Sequence, residues 1–237
     1  MEQIAGGEVD VDGSGVPLGI FRETAVTLIT SSISEPNEEI RTQYYRTALH
    51  KCMAAGLTMV QTNDTNAWDL YKKLQEQGEN DHRTLKPYSV SLFVSSYSLQ
   101  WCHDPGELPI RVYLTIDHGE IGKGPRPGEH EGLLYCKRVK LFSDGSLGAE
   151  TAALRQPYVG TENIGVLIHP LDELTEKVRL AHQEGYQLEI HAIGDRAMAT
   201  VLDAYVGAGV AGSDRPIITH CQVTQLSALW SIFMYMR

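Results

Sequence analysis

Three residues in the second half of the chain have types and positions that could do chemistry: Lys140 in Val139-Lys140-Leu141-Phe142, His191 after Leu188-Glu189-Ile190, and His220 after Ile217-Ile218-Thr219. Neutral imidazole binds zinc and similar metals, so two histidines at the ends of neighbouring strands could supply half of a four-ligand site. Their separation in sequence is about one strand–helix–strand unit. Lys140 is the stranger member. Between Val139 and Leu141, in a strand buried on both faces, an ammonium must either lose its charge or pair with a carboxylate such as Asp144. A neutral amine there can add carbon dioxide to become a carbamate, an anionic oxygen ligand able to bridge two metal ions. Each histidine taken singly also reads as a core residue donating to a backbone carbonyl; only the pattern of three at strand ends sets them apart.

Periodicity predicts the elements that must position these side chains. Residues 36–55 repeat apolar types at Ile40, Tyr44, Ala48 and Cys52, one face of a helix that Gly56 would stop. Residues 57–61 read as a buried strand. Asn63-Asp64-Thr65-Asn66 offers capping oxygens to a second helix with Trp68, Tyr71 and Leu74 on its core face, ending near Gly78. Residues 110–116 and 138–142 are β-branched and aromatic strands, the latter leading into the turn Asp144-Gly145-Ser146. Leu171, Leu174, Val178 and Ala181 form a helical stripe closed by Gly185. Residues 186–190 are a strand, Asp195 caps a helix carrying Met198, Leu202 and Tyr205, and residues 216–219 are the next strand. Strands alternating with helices favour parallel units, in a closed (β/α)8 barrel or an open doubly wound sheet. In both, chemistry sits where strands end, and Lys140, His191 and His220 should converge on one mouth.

Composition narrows the partners. The chain has 237 residues, 42% of them hydrophobic and 21% charged, enough to build one large core. A net charge of -10 with scattered basic residues argues against nucleic acid. No apolar stretch is long enough for a membrane span and Met1-Glu2-Gln3 does not open a signal peptide, so the expected compartment is the cytoplasm. Cys52, Cys102, Cys136 and Cys221 lie far apart and read as reduced thiols; Cys102-His103 alone is a weak metal signal. No H-E-x-x-H, G-x-S-x-G or P-loop occurs, which closes the usual motif routes to protease, esterase and nucleotidase.

Four spaced motifs together resemble the amidohydrolase family 3 group, which includes the N-substituted formamide deformylases: residues 139–148, Thr151-Ala152-Ala153-Leu154 with Pro157-Tyr158, His191-Ala192-Ile193-Gly194-Asp195-Arg196-Ala197, and Thr219-His220-Cys221-Gln222. The similarity runs from about Gly6 to about Val223. It implies a (β/α)8 barrel with one or two divalent metal ions, zinc being expected, in which metal-activated water attacks the carbon–nitrogen bond of a small amide or formamide. By that resemblance His191 and His220 are metal ligands and Lys140 is the carbamylated lysine. Asp144 supports the site, and Asp195 with Arg196 holds the loop and helix start that aim His191.

The sequence departs from the group's pattern in three places. No H-x-H pair occurs, and no strand after His220 carries the aspartate expected as catalytic base. Residues 80–107 interrupt a helix-to-strand junction that is direct in the group, with Gly-Glu repeated at both ends. The expected organisation is therefore an incomplete barrel over 1–223, with 80–107 an insertion extruded at the surface and 224–237 an atypical tail, and little turnover by this chain alone. Two other readings stay open: a non-catalytic metal-binding fragment that survives through a partner chain, or an α/β module that takes a phosphorylated ligand at the turn 144–148. A homo-oligomer is left open as well.

Overall fold

A computed structural model describes residues 7–80 and 110–224. In chain order the elements are β1 (Gly7–Val11), β2 (Pro17–Glu23), α1 (Thr27–Thr30), α2 (Glu38–Ala54), β3 (Met59–Thr62), α3 (Trp68–Asn80), β4 (Arg111–Asp117), β5 (His130–Glu131), β6 (Leu134–Phe142), α4 (Leu171–Gln183), β7 (Gln187–Ala192), α5 (Asp195–Ala208) and β8 (Ile217–His220). Strands β1 and β2 form an antiparallel hairpin of their own. The main sheet runs β3-β4-β6-β7-β8, all parallel, with short β5 added antiparallel to β6. It is a curled half of a (β/α)8 barrel, the incomplete barrel that the sequence predicts. The segment 81–109 and the tail 225–237, and with them the expectations placed on the insertion and on Cys102-His103, lie outside the described residues.

The two faces of this sheet differ sharply. Val112, Leu114 and Ile116 of β4, Val139 and Leu141 of β6, and Leu188 and Ile190 of β7 are buried on the helix side, against Leu174, Val178 and Ala181 of α4 and Val201 and Tyr205 of α5. Each such fully buried aliphatic side chain stabilises the fold by about 1.5–3 kcal/mol relative to exposure. The other face is polar: Arg138 Nη1 donates to Gln61 Oε1 at 2.7 Å, and Arg138 Nε donates to Gln187 Oε1 at 3.1 Å. One irregularity keeps the two faces in phase. Leu114 is paired with Cys136 but Thr115 with Arg138, so β6 holds an extra residue, Lys137, opposite that step. Before this bulge Leu134 and Cys136 face the core; after it Val139 and Leu141 do, and Arg138 and Lys140 are carried to the polar face.

Several expectations are corrected. Helix α2 is capped by Asn37, whose side chain accepts from Ile40 N at 2.9 Å. It buries Thr42 and Leu49 and half-buries Tyr45 and Cys52, whereas Ile40 and Tyr44 of the expected face are exposed. Tyr45 meets Tyr71 of α3 edge-on at 5.0 Å, and that contact with Leu49 selects the face. Strand β3 was expected to be buried, but it is the edge of the described sheet, and Leu57 and Met59 are exposed. Asp195 does not cap its own helix: Gly194 is the capping residue, and Asp195 Oδ1 accepts from Arg155 N at 2.9 Å. The hairpin β1–β2 was not anticipated.

Candidate functional site

Strands β6, β7 and β8 end side by side, and their register decides what meets what. Lys140 is opposite Glu189 and Phe142 opposite His191 across β6 and β7; His191 is opposite Thr219 across β7 and β8. With the side-chain period of two, Lys140, Phe142, Glu189, His191 and Thr219 all project from the polar face. Lys140 is not in a strand apolar on both faces, and its carboxylate partner is Glu189 rather than Asp144. Lys140 Nζ donates to Glu189 Oε1 at 2.9 Å and to Thr219 Oγ1 at 2.8 Å, and lies 5.5 Å from the centroid of the Phe142 ring. Glu189 also faces Arg138 Nη1 at 3.6 Å, so one carboxylate serves two cations. Sequence reasoning passed over Glu189, although alternation through Gln187, Glu189 and His191 could have placed it beside Lys140.

His191 is held tightly. Its Nε2 lies 2.9 Å from the Gly145 carbonyl oxygen and 3.3 Å from Asp144 Oδ1. Burial alone would push its pKa down, but the hydrogen bonds to Asp144 and Gly145 and the Asp144 charge together raise it. Asp144 is fully buried and acts as a knot: Oδ1 accepts from Ile193 N at 3.0 Å, and Oδ2 accepts from Gly194 N at 2.8 Å and Ala153 N at 2.9 Å. Both oxygens are engaged, so this carboxylate anchors and orients. The knot is tight enough to need glycines. A Cβ on Gly194 would lie 1.9 Å from the Ala153 carbonyl oxygen, and one on Gly145 would lie 2.0 Å from both Glu23 Oε1 and Thr151 Oγ1.

His220 reaches the same place by a different route. One residue after Thr219, simple alternation would send it to the helix side, but its φ of 80° and that of Cys221 at 49° break the strand there. Its ring packs edge-on against His191 with centroids 4.6 Å apart, and the Phe142 ring is 5.4 Å from His191. Burial, then the positive charges of His191 and Lys140, lower the His220 pKa, which keeps its imidazole neutral.

The structure thus brings Lys140, His191, His220 and Asp144 to one mouth. Asp195 and Arg196 stand one step back. Arg196 Nη2 donates to the Ile164 and Gly165 carbonyls at 3.3 and 3.0 Å, so with Asp195 it pins the loop between β6 and α4 and does not touch His191. The turn 144–148 does not present a phosphate cradle: Gly145 N and Ser146 N are already taken by Thr151 O and Thr151 Oγ1. Among the described residues no group of three or more His, Cys, Asp or Glu side chains stands ready to hold a metal, because Lys140 is outside those types and Asp144 faces inward.

A half-barrel of parallel strands with polar side chains gathered at the strand C-termini defines an α/β-barrel protein with its site at the usual mouth of that fold. The chain belongs to the amidohydrolase family, whose family model matches residues 1–230. It is similar to the putative amidohydrolase YtcJ of Bacillus subtilis (strain 168), at 25% identity over 201 residues, covering 84% of this chain and 34% of that protein. It is also similar to Protein LONG AFTER FAR-RED 3 of Arabidopsis thaliana, at 28% identity over 216 residues, covering 90% of this chain and 35% of that protein. The chain therefore spans about a third of the length of these curated relatives. A solved structure of an uncharacterized metal-dependent hydrolase from Pyrococcus furiosus shares the fold with a TM-score of 0.66 at 24% identity, over 94% of this chain and 42% of that one.

Proposed function

We propose that this mouth is the metal-binding half of a hydrolase acting on a carbon–nitrogen bond of a small amide, formamide or cyclic amide. The observation that carries the reading is the His191–His220 pair. One imidazole has its Nε2 committed to Gly145 O and Asp144, leaving Nδ1 as its free donor; the other stays neutral beside it. A metal-binding histidine is characteristically oriented by such a second hydrogen bond to a carboxylate or carbonyl. Two imidazoles fit zinc or a similar borderline ion. Lys140 as an ammonium does not. It fits only after the ammonium has released one proton and the resulting amine has added to carbon dioxide, forming the N–C bond and releasing a second proton, to leave an anionic carbamate oxygen.

A divalent ion held there would polarise an amide carbonyl and make water a nucleophile near neutral pH. The residues of the chain supply the rest. Asp144 fixes the tautomer and aim of His191, Thr219 Oγ1 holds the Lys140 nitrogen on the polar face, and Phe142 covers one side of the mouth with an apolar ring.

The test is metal content and affinity of the purified chain with zinc or cobalt, followed by a panel of formamides and cyclic amides. His191→Ala and His220→Ala should each lower metal affinity at least tenfold. Binding that neither substitution changes would sink the proposal, as would amide turnover that survives in the doubly substituted protein.

A further inference from the structure

Glu23, the last residue of β2, is in an unusual state. Its φ of 50° and ψ of -128° form a backbone conformation that L-residues rarely adopt, and which persists where the surroundings over-determine it. What holds it is its carboxylate, since Glu23 Oε1 accepts from the hydroxyl of the buried Thr151 at 2.6 Å. The hairpin is not drawn in by apolar burial: Val16, Leu18 and Ile20 are exposed, and Ala25 is its main buried neighbour. Thr151 Oγ1 in turn accepts from Ser146 N at 3.0 Å, and the space beside Gly145, where any Cβ would stand, is filled by the Glu23 carboxylate and the Thr151 hydroxyl. The carbonyl of that same Gly145 is the acceptor nearest His191 Nε2.

We propose that Glu23 is a positioning residue for His191: carried in by the N-terminal hairpin, its carboxylate fixes Thr151 and the Gly145 turn so that the Gly145 carbonyl sets the orientation of the imidazole. This assigns a role in the site to a segment far from the three strand-end residues in sequence. Its consequence for metal affinity rests on the function proposed above; its consequence for the ring of His191 does not.

The experiment uses the full chain, 15N-labelled and metal-free, and reads the imidazole nitrogen and proton resonances of His191, with zinc affinity measured separately by chelator competition. In Glu23→Ala the His191 Nε2 resonance should move toward that of a free imidazole, and zinc affinity should fall about tenfold, the lower end of what outer partners of a metal histidine contribute. Glu23→Gln keeps a side-chain carbonyl to accept from Thr151 and should restore both. Thr151→Val should reproduce the Glu23→Ala result with the hairpin sequence intact, and it decides the matter if Glu23→Ala does not fold. His191 resonances unchanged in Glu23→Ala and Thr151→Val, with only the melting temperature lowered, would overturn the proposal and leave Glu23 as a fold residue. A parent protein that binds no zinc defeats the metal reading, while the ring resonances still decide the role of Glu23.

Discussion

Helices α4 and α2 both carry apolar residues at helical spacing, yet Leu174, Val178 and Ala181 of α4 are completely buried while Ile40 and Tyr44 of α2 face outward. Helix α4 packs against both α5 and strand β7, and its stripe marks the face that meets them. Helix α2 touches α3, and its sequence offers two overlapping stripes, Ile40/Tyr44/Ala48/Cys52 and Thr42/Tyr45/Leu49/Cys52. The neighbours choose the second, even though it includes a threonine. Thr42 meets its own need by donating to Glu38 O at 2.7 Å, so burying it leaves no hydroxyl without a partner. Periodicity shows that a helix exists; the packing partner determines which face it hides.

The contrast can be broken experimentally, and the largest effect belongs to neither helix. Asp144→Ala leaves three buried backbone N–H groups without acceptors, each worth about 1–3 kcal/mol, so the loss of unfolding free energy in a denaturant titration should exceed about 4 kcal/mol. A loss under about 1 kcal/mol would mean that the knot is not what secures the strand ends. Leu174→Ala should cost about 3 kcal/mol, in the usual range for a filled core site, whereas Tyr44→Ala, 63% exposed, should stay within about 0.5 kcal/mol. Equal effects would erase the distinction between the two helices. The smallest change is chemical: burial pushes the Cys136 thiol up to about 12, so in the folded protein Cys136 should resist a thiol reagent that labels the half-buried Cys52.

Much of the second half is legible in the sequence. The stripe of α4 at Leu174, Val178 and Ala181, the strand before His191 and the meeting of Lys140 with two histidines all follow from periods of 3.6 and 2 and from strands ending at one mouth. Leu171, the expected first member of that stripe, is exposed. The ammonium's partner was not found, because Asp144 is nearer in sequence, whereas Glu189 is opposite Lys140 only once the register is known. The hairpin had a signal that went unread: Asp12-Gly13-Ser14-Gly15 between Val9/Val11 and Val16/Leu18, with Asp12 Oδ1 accepting from Ser14 N and Val16 N. The left-handed φ of His220 leaves no mark in the residue types around it, and neither does the strained backbone at Glu23.

The bulge at Lys137 has a further consequence for how this strand can vary. Lys137 is the residue that β4 does not match, so deleting it alone would close the ladder with Cys136 and Arg138 as consecutive partners of Leu114 and Thr115, and Arg138, Val139, Lys140 and Leu141 would each keep their present side. Loss of a second residue as well, Lys137 together with Arg138, would exchange the two sides, turning Lys140 into the aliphatic interior and Val139 and Leu141 out of it. Length at this point therefore has one residue of slack: loss of Lys137, whose side chain is exposed, should do less harm to the mouth than loss of Lys137 and Arg138 together.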